Sequence, residues 1–205
     1  MKRFTLASLA ALALLLGCRT ENARADEVEI GKPAPAFSLP DPSGKTVGLG
    51  DFKGKYVVLE WTNPECPFVR KHYSSGNMQK VQQTYTEKGV VWLSIASSAP
   101  GKEGNYPAAE WNDIQAKRGA RATALLLDPD GKVGRTYGAK TTPHMFIVDP
   151  AGTLIYQGAI DDHASANPND IPKSKNYVAA ALDEAMAGKA VSTPSTKSYG
   201  CSVKY

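Results

Sequence analysis

Cys66 has the surroundings of a reactive thiol. It sits in Asn63-Pro64-Glu65-Cys66-Pro67-Phe68-Val69, where an apolar run over residues 56–61 gives way to a helical pattern. A thiol at a helix N-cap faces unsatisfied backbone N–H groups and the positive end of the helix dipole, and both favour thiolate over thiol. Pro67 falls at the first helical position, where a missing N–H costs nothing and the fixed φ is already helical. Such a thiolate attacks a disulfide sulfur to give a mixed disulfide, or a peroxide oxygen to give a sulfenic acid. The bland alternative is a buried small apolar residue, which the Cys-Pro junction makes the weaker reading. Val69 stands where a second cysteine would close a local C-x-x-C disulfide, so any partner thiol comes from elsewhere in the chain.

The chain has three cysteines, and the first of them belongs to a leader. Lys2 and Arg3 precede an apolar stretch over residues 6–16 and a polar stretch ending Ala23-Arg24-Ala25, the layout of an export signal. Two cleavage points compete. One follows residue 25, making residues 1–25 a signal peptide; the other precedes Cys18 in Leu15-Leu16-Gly17-Cys18, leaving a lipoprotein signal of residues 1–17 and a lipid anchor on Cys18. The apolar stretch is too short for a comfortable membrane span. Without residues 1–25 the net charge drops from +4 to +1, and the scattered Lys and Arg that remain argue against a nucleic-acid partner. The other 180 residues suit one domain over residues 26–190 and a polar tail over 191–205.

That tail carries Cys201 in Tyr199-Gly200-Cys201-Ser202-Val203-Lys204-Tyr205. One reading makes Cys201 a resolving thiol on a mobile arm that closes a disulfide with Cys66. A second makes the same pair a permanent staple, adding on the order of 4–5 kcal/mol for a loop of this length. A third is an intermolecular bridge.

The segments that must hold these thiols alternate between strand and helix. Residues 31–40 are punctuated by proline and extended, with a turn over 41–45, which predicts an opening hairpin. Residues 56–61 and 90–95 are short, nearly continuous apolar runs, as in strands buried on both faces of a parallel sheet. Between them, residues 67–88 carry a helical stripe of Val69, Tyr73, Val81 and Tyr85, weakened at Ser74-Ser75-Gly76-Asn77 and stopped by Gly89. Strand, helix, strand predicts a right-handed parallel crossover. Residues 107–117 predict a helix and 124–127 a third strand. Residues 145–148 and 154–157 flank Asp149-Pro150-Ala151-Gly152, a β-hairpin that makes the second half antiparallel. Residues 176–187 form an Ala-rich helix closed by Gly188, and the tail beyond it shows no periodicity.

Taken in order, several motifs resemble the thioredoxin-like redoxins, the superfamily of alkyl hydroperoxide reductase, thiol-specific antioxidant and other peroxiredoxin-like proteins. They are Pro33-x-Pro35-x-Phe37, Cys66-Pro67 after a strand, the segment from Asp130-Gly131 to Tyr137-Gly138, Thr142-Pro143, and Phe146-Ile147-Val148-Asp149-x-x-Gly152, spanning residues 31–160. Asn63-x-x-Cys66-Pro67-x-Val69 with Gly200-Cys201-Ser202-Val203-Lys204 further resembles a bacterial subgroup with one cysteine at the helix start and another near the C-terminus. The resemblance implies an α/β thioredoxin-like fold, with a central mixed sheet flanked by helices, and a thiol-dependent oxidoreductase.

It also implies roles for individual residues. Glu60, six residues before Cys66, takes the place of the carboxylate that thioredoxins bury behind their active-site thiols, where it would accept the proton released in thiol exchange; the alternative is a strand-end carboxylate turned to solvent or paired with lysine. Thr142-Pro143 takes the place of a cis-proline that sets a backbone edge beside the helix-start cysteine for an extended substrate. Cys66, Cys201 and Glu60 are therefore the catalytic candidates, and Pro67, Thr142 and Pro143 the substrate-contact candidates. Typical peroxiredoxins carry Thr or Ser three residues before the cysteine. Asn63 occupies that position here, and no clear motif marks a peroxide-orienting arginine, which counts against efficient peroxidase activity.

The expectation is an exported redoxin of the bacterial periplasm or cell envelope, exchanging electrons between Cys66 and a protein or small-molecule disulfide, with an unidentified reducing partner. Peroxide reduction through a Cys66 sulfenic acid is the near rival, and a non-catalytic or metal-delivery module the distant one. No cofactor is expected. His72, His144 and His163 lack metal-ligand spacing; only His144 falls near Cys66 by resemblance, and two ligands are fewer than metal sites assemble, so no metal is expected either. Contact with a membrane is expected only through the lipid anchor at Cys18.

Overall fold

The computed structural model describes Met1 and residues 28–205; Cys18 and both cleavage points lie outside the described residues. The opening hairpin pairs β1 (Ser38–Pro40) with β2 (Thr46–Gly48). Its turn is held by the Asp41 carboxylate, which accepts from the backbone N–H groups of Ser43 at 2.8 Å and Lys45 at 3.0 Å. Then follow β3 (Val57–Trp61), α1 (Pro67–Ser74), α2 (Asn77–Thr86) and β4 (Val91–Ala96).

The single helix expected over residues 67–88 is two. The Ser75 hydroxyl donates back to the carbonyls of Lys71 and His72 at 2.8 and 3.2 Å, and Gly76 turns left-handed, φ 74°, as the N-cap of α2. The chain continues through α3 (Ala108–Lys117), β5 (Ala124–Leu127), α4 (Lys132–Thr136), β6 (Thr141–Thr142), β7 (His144–Val148), β8 (Leu154–Gly158), α5 (Tyr177–Met186) and β9 (Cys201–Ser202). Three short elements, α4, β6 and β9, carry too few residues to show a period in the sequence.

The central sheet is mixed, in the order β5-β4-β3-β7-β8. β3 runs parallel to β4 and antiparallel to β7, as the crossover and the hairpin require. Strand alternation divides β3 between two cores. Val57, Leu59 and Trp61 pack with Phe146, Val148 and Tyr137 beneath the opening hairpin. Val58 packs on the other face with Met145 and Ile147 against α1, α2 and α5. Each fully buried side chain of this kind contributes roughly 1.5–3 kcal/mol, so the register of β3 is firmly set and with it the position of the α1 start.

The expectation of an irregular tail is corrected. The tail runs back across the domain: Gln157 donates to Pro194 O at 3.0 Å, Thr196 donates to Gln157 O at 3.0 Å, and Ala99 donates to Lys204 O at 2.8 Å. β9 pairs antiparallel with β6, placing Thr142 opposite Cys201 and Thr141 opposite Ser202.

Candidate active site

α1 begins where β3 leaves the sheet. Cys66 is its N-cap, with extended backbone, and Pro67 its first residue. Cys66 is 0 % exposed. Protonated, its Sγ donates to the carbonyl oxygen of Thr142 at 3.0 Å. The Thr142-Pro143 peptide bond is cis, and Pro143 leads directly into β7.

Burial pushes the Cys66 thiol up, but the polar groups of Cys201, Thr142 and Val69 around the sulfur outweigh it and hold the thiol below its ordinary value. Val69 is the third residue of α1, so its N–H is one of the free donors of the first turn. Cys201 moves the other way, pushed up to about 11 by burial, by its bond to Cys66 and that sulfur's charge, and by Glu103. Both cysteines are free thiols. One sulfur is thus biased toward thiolate while its neighbour keeps its proton, the division of labour that a nucleophile and a resolving thiol need.

Glu60 is buried and meets neither alternative expected for it, solvent or a lysine. Its Oε1 accepts from Tyr73 Oη at 3.0 Å, and its Oε2 accepts from Trp92 Nε1 at 2.8 Å, Gln82 Nε2 at 3.0 Å and Ser94 Oγ at 3.1 Å. These four donors tie β3 to α1, α2 and β4, and Cys66 is not among them. The structure thus brings Cys66, Pro67, Thr142, Pro143 and Cys201 together and leaves Glu60 inside its own network. His144 stacks on Phe146 with ring centroids 4.5 Å apart, on the hairpin side of the sheet.

One cluster escaped the sequence reading. Lys71 and His72 of α1, Asp161 after β8 and Tyr199 of the tail meet in a buried polar pocket. Lysine at a buried helix position has no sequence signature. Asn63, which stands where typical peroxiredoxins carry Thr or Ser, is engaged elsewhere, and so is the guanidinium of Arg135. Asn63 Nδ2 donates to Glu103 Oε1 at 3.1 Å, and Arg135 lies 4.5 Å from the Tyr205 ring while donating to Asp130 O at 2.6 Å.

The pattern of a helix-start cysteine facing a cis-proline agrees with what comparison finds. The model of the AhpC/TSA family matches residues 30–157. The chain belongs to that family. Thiol-disulfide oxidoreductase ResA of Bacillus thuringiensis subsp. konkukian is 30% identical to it over 136 residues, 64% of this chain and 70% of that protein. Thiol:disulfide interchange protein DsbE of Pseudomonas fluorescens biotype C is 30% identical over 162 residues, 75% of this chain and 81% of that protein. The crystal structure of an uncharacterized conserved protein from Geobacillus kaustophilus superposes with a TM-score of 0.73 at 26% identity, covering 88% of this chain and 94% of that one. The fold is thioredoxin-like.

Proposed function

We propose that this AhpC/TSA-family chain is a thiol-disulfide oxidoreductase in which Cys66 is the nucleophile and Cys201 resolves the intermediate. The observation that carries the reading is the register that sets Cys201 opposite Thr142, whose carbonyl accepts from the Cys66 thiol at 3.0 Å; the opposed bias of the two thiols, Cys66 held down and Cys201 pushed up, supports it. The named activities of its ResA and DsbE relatives support it.

The Cys66 thiolate attacks one sulfur of a substrate disulfide. The new S–S bond is a mixed disulfide, and the substrate's other sulfur leaves as a thiolate that takes up a proton. Cys201 then gives up its proton and attacks the Cys66 sulfur, breaking the mixed disulfide and releasing the second substrate thiol. The substrate gains two electrons and two protons, and the chain is left with a Cys66–Cys201 disulfide that a partner dithiol must reduce. Thr142 contributes its carbonyl to the Cys66 sulfur, and Pro67 starts the helix that Cys66 caps. We take the substrate to be a protein or small-molecule disulfide.

Residues 26–190 are read as the redox domain and 191–205 as its arm. The leader suits an exported protein, and no helix among the described residues is long and apolar enough to cross a membrane. The engagement of Asn63 with Glu103 supports disulfide exchange over peroxide reduction, because a peroxide pocket needs free donors at that position. The test is partner trapping with Cys201→Ser. Stable adducts on Cys66 are expected, and an unreactive Cys66 with no adducts overturns the reading.

A further inference from the structure

Two residues before Cys201, the tail inserts Tyr199 into the pocket that the exchange mechanism does not use. Asp161 Oδ1 accepts from the Tyr199 hydroxyl and from His163 N, the latter at 3.1 Å; Asp161 Oδ2 pairs with Lys71 Nζ at 3.0 Å. Lys71 Nζ also donates to His163 O at 2.8 Å and to Tyr199 Oη at 3.4 Å, and His72 Nε2 lies 3.3 Å from that same oxygen. Lys71 and Asp161 side chains are 0 % and 2 % exposed. The Tyr199 ring meets Phe68, in the first turn of α1, edge-on at 5.8 Å.

A buried ion pair returns little net stability, because desolvating the two charges costs about as much as their attraction yields; its best-attested use is to fix register. Here the register in question is that of the tail. Tyr199 and Cys201 both pack against the core on the α1 side of the sheet, as side chains two apart on an extended segment do. Gly200 between them lies so close to the Thr142 carbonyl that a Cβ would fall 2.1 Å from its oxygen. A slip by one residue would turn Cys201 away from Cys66 and press a side chain into that carbonyl.

We infer that Tyr199 is a positioning residue, whose hydroxyl, held by Asp161, Lys71 and His72, sets the register of the tail that places Cys201 on Cys66. The inference rests on the exchange reading above. It makes the tail a keyed arm: the tyrosine finds its polar partners beside the first turn of α1, and the cysteine arrives with it.

The test is the equilibrium of the Cys66–Cys201 pair with glutathione, in which glutathione disulfide takes two electrons and the two thiol protons from the pair and becomes two glutathione molecules. The parent protein is measured first, with the bond mapped by peptide mass; a parent that forms no Cys66–Cys201 disulfide fails the exchange reading itself. Tyr199→Phe keeps the ring against Phe68 and loses the hydroxyl. Its equilibrium constant for forming the bond is expected to fall tenfold or more, with the pH profile of Cys66 alkylation moved upward because the Cys201 donor is no longer held in place. Tyr205→Phe removes a different tail hydroxyl, which donates to Ala139 O at 2.7 Å, and is expected to stay within threefold of the parent. A parental constant and profile in Tyr199→Phe overturn the inference, as does an equal fall in Tyr205→Phe, which would mark general loosening of the tail. If Tyr199→Phe does not fold, Asp161→Asn is measured on the same criteria.

Discussion

Cys201 is the direct antiparallel partner of Thr142, and the carbonyl of Thr142 lies 3.0 Å from the Cys66 sulfur. The tail therefore occupies the backbone edge that an extended substrate would use, and it leaves Cys66 without exposed surface. On the exchange reading proposed above, a substrate would reach the thiolate when the tail lifts, and the tail would return with the resolving thiol.

Cys201→Ala removes the S–H donor that favours the Cys66 thiolate. The midpoint of Cys66 alkylation against pH should therefore rise. Iodoacetamide rates across pH 5–10 check this. An unmoved midpoint would remove Cys201 from the electrostatics of Cys66.

Gly200→Ala places a Cβ against the Thr142 carbonyl at a backbone φ of 137° that other residues rarely adopt. The cost of about 1–3 kcal/mol falls on the docked tail. Alkylation of Cys66 in the folded protein should accelerate several-fold while the thermal transition of the domain moves little. An unchanged alkylation rate would show that the docked tail does not limit access.

Much of this arrangement is legible in the residues themselves. Cys66-Pro67 at the end of an apolar run marks the strand-to-helix junction through local chain chemistry, whereas the cis bond of Thr142-Pro143 was implied by the family resemblance and not by the residues alone. The tail was not legible. Its anchors are distant, Tyr199 on Asp161, Thr196 on Tyr156 and Tyr205 on Ala139, and a segment held by scattered single side chains carries no period. Lys71 was hidden for the opposite reason: a charged residue in a helical stripe reads as solvent-facing until its buried partner is known. Glu60 shows the limit of spacing, since position in β3 put it on the α1 side while its four donors come from three other elements.

Stability should depend on pH through His72. Burial holds His72 down to about 4 against an ordinary 6.5, with Lys71 adding to the effect and Asp161 opposing it. Between those values the unfolded chain binds a proton that the folded chain refuses, so stability is full above pH 6.5 and falls as pH drops toward 4. The loss is roughly 3 kcal/mol. Urea unfolding at pH 7, 5.5 and 4.5 checks it, with His72→Gln expected to flatten that part of the slope.

Glu60→Ala strands four buried donors, from Tyr73, Gln82, Trp92 and Ser94, and should cost at least ~3 kcal/mol. Glu60→Gln keeps the volume but turns an amide toward donors, so a loss of about 1–3 kcal/mol is expected. Chemical denaturation measures both. A fall in disulfide-exchange rate in Glu60→Gln, at a pH where the variant is fully folded, would instead give Glu60 the proton-accepting role.

The central claim is that Cys66 and Cys201 form a bond that is made and broken in function. Its most direct test is the reduction potential of the pair, titrated with glutathione or a stronger dithiol and read by thiol labelling. A catalytic pair is predicted to titrate near about −200 mV, within reach of cellular dithiols, whereas a permanent staple lies below about −300 mV. A potential below that limit, or no bond between these two cysteines at any potential, contradicts the account.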